Sequence, residues 1–193
     1  KEKELQSGLE GPETLFQISR MFAQQWARNC LFQYVFSVAE RTPSRVVFIK
    51  SNGGVLSPDL RISYGSHGFI ESQLLPFRMT PNISTLIGFP LMDGRFISSM
   101  VTVAGAVRNH KEDMDPIFLL LMRDDSVAFF TKSMAKSDAK THEMEKQLAD
   151  RVTKNVASIQ ARFGECAPKK QDESTKRDPV DKRVRDLVDE ASS

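Results

Sequence analysis

Side chains of the kinds that carry chemistry are sparse and scattered in this 193-residue sequence. His67, His110 and His142 lie in separate segments, none with a second histidine one helical turn away or a cysteine beside it, so metal-ligand spacing is absent. Cys30 sits in an apolar stretch and Cys166 in a polar one. Two cysteines are too few for a disulfide framework and fit a reducing compartment. Ser133-x-x-Lys136 and Ser137-x-x-Lys140 have the spacing of a serine–lysine acylase, but that class's companion motifs are missing, and helix capping beside solvated lysines explains the pattern. No Gly-x-x-x-x-Gly-Lys-Ser/Thr loop, Gly-x-Gly-x-x-Gly turn or Gly-x-Ser-x-Gly elbow occurs, which removes the usual anchors of nucleotide binding and hydrolysis. Gly65 and Gly68 around Ser66-His67 shape a loop. The pairs Asp113 with Asp115 and Asp124 with Asp125 fall in predicted connections as solvated turn acids. The expectation is a non-enzyme with no metal site, and no cofactor is specified.

Composition bounds the remainder. With 40% hydrophobic and 27% charged residues the chain can bury one sizeable core plus tails. Its 27 Lys and Arg nearly balance 25 Asp and Glu, so no overall field draws it to nucleic acid or an anionic membrane. No apolar run reaches the roughly 20 residues that cross a bilayer, and the richest, Ala27 to Ala39, contains Arg28, Asn29 and Gln33. A cytoplasmic protein without membrane insertion is expected. The opening Lys1-Glu2-Lys3-Glu4 lacks an initiator Met, as in an excised segment.

Hydrophobic periodicity supplies the elements. Leu15, Ile18, Phe22, Trp26, Cys30, Tyr34 and Val38 recur at steps of three and four, predicting a helix from about Glu13 to Glu40 with Pro12 in its first turn. Arg45 to Lys50 reads as a strand, Asn52-Gly53-Gly54 as a turn and Arg61 to Tyr64 as a weaker strand. Gly65 to Asn82 has no sustained period. Leu86 to Met92, Asp93-Gly94 and Arg95 to Val107 predict a second hairpin, because Asp-Gly tolerates the positive φ of a tight turn. Ile117 to Met122, Arg123-Asp124-Asp125 and Ser126 to Thr131 predict a third. Met144, Leu148, Val152, Val156, Ile159 and Phe163 form a closing helix stopped by Gly164. Beyond it Pro168 to Asp178 is too polar to fold alone, and Val180, Val184, Leu187 and Val188 share one side of a last amphipathic piece that docks or continues into a neighbour.

The order helix, sheet, helix resembles the GAF domain. Arg45 to Lys50 before a glycine turn, Leu86 to Val101 with its apolar-Pro-apolar start, and Phe129-Phe130-Thr131 with Leu148-Ala149-Asp150-Arg151-Val152 carry the resemblance. A glycine near Ser98 or Ser99 and the cyclic-nucleotide signature of that family are missing. The resemblance implies an α+β fold, an antiparallel five- or six-stranded sheet with long N- and C-terminal helices on one face, over residues 13–164. Residues 1–12 would be a flexible lead and 165–193 a polar tail. It also implies a sensory or regulatory module whose small-molecule ligand would sit under Gly65 to Asn82, with Tyr64, His67, Phe69, Glu71, Phe77 and Arg78 as candidates.

The first helix is apolar around most of its circumference between Cys30 and Phe36, more than one contact surface needs. Either a second copy covers the remainder, a homodimer with Trp26, Cys30, Tyr34, Val152 and Ile159 as candidate contacts, or the helix is buried completely within one chain. Two alternatives stand beside it: a ligand-free scaffold binding other proteins, and an oligonucleotide-binding barrel, against which the apolar Ile117 to Met122 run argues.

Overall fold

The computed structural model describes residues 11–57, 60–134, 141–168 and 180–192. They form α1 (Pro12–Val35), a 3-10 turn (Pro43–Arg45), β1 (Val47–Ile49), β2 (Gly54–Leu56), α2 (Pro81–Ile87), α3 (Phe89–Leu91), a π-helical turn (Met92–Phe96), α4 (Ile97–Asn109), α5 (Lys111–Met134), α6 (Thr141–Cys166) and α7 (Val180–Ser192).

Helix α1 starts as its sequence predicts, with Gly11 at the N-cap, Pro12 in the first position and Glu13 against the helix dipole. Ile18, Phe22, Trp26 and Cys30 are buried on one stripe, and Leu31, Val35 and Phe36 extend it around the cylinder. The helix ends at Val35 because Ser37 and Glu40 take positive φ angles of 47° and 53°, which turn the chain away. Packed against α1 are α2, α4, α6, β2 and the π turn, so α1 is the central rod. Four aromatic rings lock it to its neighbours: Phe118 of α5 stacks on Phe163 of α6 at 5.9 Å, and Phe36 meets both edge-on, with Phe32 stacked on Phe36 at 5.7 Å.

The expected sheet is absent from the described residues, and with it the GAF resemblance. What forms is a two-stranded antiparallel ribbon with Val47 opposite Leu56, Phe48 opposite Val55 and Ile49 opposite Gly54. The partner of the predicted first strand is therefore Gly54–Leu56, and Arg61 to Tyr64 contributes single bridges, Val38 with Ile62 and Tyr64 with Ile70. Gly53 at the turn has φ 74°, and a Cβ there would lie 2.3 Å from the Ile18 carbonyl oxygen, so no other residue lets the ribbon rest on α1. The second predicted hairpin is α3, the π turn and α4. Gly94 takes no positive φ, and Ile97, Met100 and Ala104 recur at helical steps on the buried side. The third is the single helix α5, in which Phe118, Met122 and Ser126 are buried one turn apart. Terminal helices on one face of a sheet have no counterpart here.

Helix α6 follows its predicted stripe, with Val152, Val156, Ile159 and Phe163 buried, but runs through Gly164 to Cys166. Helix α7 docks on α4 and α6 through Val184, Leu187, Val188 and Ala191, reinforced by an ion pair between Arg185 and Asp93. No single helix among the described residues is long and apolar enough to cross a membrane.

Replacing Phe163 with Ala removes the ring shared by Phe32, Phe36 and Phe118 and leaves a cavity between α1, α5 and α6. The expected loss is about 3–5 kcal/mol of unfolding free energy by urea titration; a loss below about 1 kcal/mol would mean that this cluster does not hold the three helices together.

Candidate interaction surface

The last carbonyls of a helix have no partner within it, and α1 ends inside the protein with no basic residue in its own last turn. Helix α6 supplies the missing donors. Arg162, only 9% exposed, donates through Nη1 to the Tyr34 and Val35 carbonyl oxygens at 3.2 and 3.1 Å and to the Ser37 hydroxyl, while Nη2 reaches the Ser72 hydroxyl at 3.1 Å. Arg41 braces the next turn, donating to the carbonyls of Val38, Leu75 and Gln33. Tyr34 extends the network outward: its hydroxyl donates to Glu165 at 2.6 Å and accepts from Arg183 of α7 at 3.3 Å. Burial, with the Glu165 hydrogen bond adding to it, pushes the Tyr34 phenol up to about 12. These groups line a small polar cavity of about 290 Å³ in which the cations are already met by Glu165, Glu190 and carbonyls.

The stretch Gly65 to Asn82, predicted to roof a ligand, is fastened from three sides. Asn155 of α6 is fully buried; its Oδ1 accepts from the Ile70 N–H at 3.0 Å and its Nδ2 donates to the Gly68 carbonyl at 3.1 Å. Gln33 accepts from the Arg78 N–H, and Arg78 Nη1 donates to the Arg41 carbonyl. The six candidate ligand residues are spread over different environments. The Tyr64 ring packs on Phe129 at 5.0 Å, and burial, with Asp125 beside the hydroxyl, raises its pKa. Phe77 is in the core, Phe69 lies partly exposed under the Lys154 ammonium, His67 and Glu71 are exposed, and Arg78 braces backbone. His110 is exposed and pairs with Asp113, His142 sits near the start of α6, and no metal-binding group of side chains occurs among the described residues.

Of the candidate dimer contacts, Trp26, Cys30, Val152 and Ile159 are buried in the chain's own core, and Tyr34 joins the network just described. Both thiols are buried: Cys166 is pushed up to about 12, and Cys30 well above its ordinary value despite the opposing charge of Arg41. Ser133 lies in α5, whereas Lys136, Ser137 and Lys140 are outside the described residues. Sequence reading missed Gln33, Asn155 and Arg162. A signal was present, since Asn155 and Arg162 stand three residues from Val152 and Ile159 within an apolar stripe, where a polar side chain must have a buried partner.

Spare apolar surface is found on α5. While Phe118 and Met122 point inward, Ile117, Leu119, Leu120 and Val127 are 57%, 42%, 64% and 44% exposed. Between α5 and α6 runs an open groove of about 720 Å³, walled by Pro116, Leu119, Leu120, Leu148, Ala149 and Val152, with Arg123 and Thr153 at its polar margin. A helix that is apolar on both sides is normally covered on both.

No family model matches the chain. It is similar to the "SAGA complex/NuA4 acetyltransferase complex subunit Tra1" of Schizosaccharomyces pombe, 29% identical over 113 residues or 58% of this chain. The protein of the corresponding description in Saccharomyces cerevisiae is 24% identical over 138 residues, 62% of the chain, and the "Probable transcription-associated protein 1" of Dictyostelium discoideum 24% over 189 residues, 89% of the chain. The chain spans only 3% to 4% of the length of these relatives.

Two measurements check this geometry. Arg162→Leu leaves the Val35 carbonyl and the Ser37 hydroxyl without this donor and the Tyr34 carbonyl with the Ser37 N–H alone, and is expected to cost about 2–4 kcal/mol in urea unfolding. A cost near zero would remove Arg162 as the cap. A thiol reagent at pH 8 should label neither cysteine in the folded chain and both in guanidinium. The folded thiols keep their protons while unfolded ones ionise near about 8.5, so stability should fall as pH rises from there toward 12.

Proposed function

We propose that this chain is a non-catalytic, protein-binding helical module of a multi-subunit assembly associated with transcription. The observation that carries the reading is the α5–α6 groove, where four large apolar side chains of one helix face outward beside a concave apolar wall. Similarity to proteins described as complex subunits supports it, since such proteins are defined by the contacts they make. The reading needs neither a small-molecule ligand nor a second copy of the chain. On this reading the chain works in the nucleus rather than the cytoplasm.

The test introduces a charge where the fold does not need the side chain. Leu120 is 64% exposed, so Leu120→Asp should leave the circular dichroism spectrum unchanged. Purified through an affinity tag from cells of its source, the parent chain should elute from gel filtration with stoichiometric partner subunits. The variant should lose those partners at least about tenfold, the equivalent of 1.4 kcal/mol. An unchanged partner set would overturn the assignment of α5.

A further inference from the structure

A second groove, about 480 Å³, lies across the molecule's central rod between α1 and the segment that follows β2. It differs from the α5–α6 groove in being lined by committed amides. The Gln25 oxygen accepts from the Val55 N–H at 2.7 Å and the Gln33 oxygen from the Arg78 N–H at 3.1 Å, which orients each carboxamide and leaves its NH2 to donate. Asn29, between them on the same helix, has its Nδ2 buried with no hydrogen-bond partner. An unsatisfied buried donor costs roughly 1–3 kcal/mol and calls for an explanation. Arg28 adds a guanidinium to the lining and has no acidic partner among the described residues. The groove continues through Gln33, Val38 and Ser57 into a cleft bordered by Arg41, Arg45, Arg61 and Arg78, whose guanidiniums are already engaged by backbone carbonyls and by Glu40. Two large apolar side chains, Phe32 and Leu60, stand 42% and 41% exposed on its walls.

Such a lining selects its occupant. The unpartnered Asn29 amide and the Arg28 guanidinium call for a ligand with oxygen acceptors, and the apolar walls call for a hydrophobic group beside them. A helix is a poor match, because its carbonyls are already bonded internally, whereas an extended strand presents a free carbonyl on alternate residues. Nucleic acid supplies anions but no aliphatic side chain for Leu60, and the near-neutral net charge of +2 gives it no long-range attraction. We propose that this groove binds an extended, carboxylate-bearing peptide segment, with a backbone carbonyl on Asn29, a carboxylate on Arg28 and an apolar side chain between Phe32 and Leu60.

The probe is a fluorescein-labelled heptapeptide of alternating aspartate and leucine, titrated with the full 193-residue chain and followed by fluorescence anisotropy. Saturable binding is expected, weakened at least about tenfold by Arg28→Glu and by Asn29→Leu. Arg28 is exposed, so its variant remains informative even if the Asn29 variant unfolds. A peptide with serine in place of leucine should bind about tenfold more weakly. Leu120→Asp should bind the probe like the parent chain, which separates this site from the proposed role of α5. Four results would overturn the proposal: no saturable binding to the parent chain, equal binding of the serine peptide or of a uridine oligonucleotide, loss of binding in Leu120→Asp, or parental affinity in Arg28→Glu.

Discussion

The structure depends on how the C-terminal end of α1 is satisfied inside the protein. A helix end exposes carbonyl dipoles that water ordinarily covers, and here water is displaced by α6 and by the segment after Ser37. Arg162 replaces that water with one guanidinium, bonded at once to the end of α1, to the residue that turns the chain and to Ser72 beyond it. Because the fork of the guanidinium is planar and rigid, it fixes the spacing of α1 and α6 more tightly than apolar packing alone. Tyr34 then links the same helix end to Glu165 and Arg183, so that α7 is held by the network as well as by Val184 and Leu187. A buried cation is costly by itself, and its partners act as a set.

Three helices were legible in the sequence for one reason. In α6, α7 and the first half of α1 the apolar residues are confined to a stripe, and the step of three and four survives in the order of residues. It was lost in α4 and α5 because these helices carry apolar side chains on more than one side. Val101, Val103 and Val107 flank the buried Met100 and Ala104, and read along the chain they imitate the alternation of a strand. In α5 the inward Phe118 and Met122 are interleaved with the outward Ile117, Leu119 and Leu120, giving an unbroken apolar run that has no period. Asp93-Gly94 then decided the reading wrongly, since Asp-Gly permits a turn without requiring one; in the structure Gly94 lies within a right-handed π turn. Of the stretches that carried the GAF resemblance, Leu86 to Val101 and Phe129 to Thr131 are helical, and without those strands the sheet of that family does not form.

The same ambiguity explains the candidate site. The run Ile117 to Met122 was evidence for a helix facing two environments, and the outward one is the apolar groove. By contrast, the residues between Tyr64 and Arg78 looked like a binding segment because they mix aromatic and charged types without period. They form a loop whose conformation is dictated from outside, by Asn155, Gln33 and Arg162 on helices distant in sequence. No local pattern encodes such long-range fasteners; only their misplaced polarity within apolar stripes betrays them.

The two grooves obey different physical rules, and that difference decides what each can hold. Apolar burial along α5 provides affinity in proportion to area but tolerates many partners of similar shape. A groove of fixed donors around Asn29 adds little affinity to a mismatched segment, because any acceptor it fails to supply leaves an amide or a guanidinium stranded. Discrimination therefore resides in the donors and strength in the greasy wall. Both surfaces are set by helices that Arg162 and the Phe36–Phe118–Phe163 cluster hold in one arrangement, so a contact made at either one is made against a rigid frame.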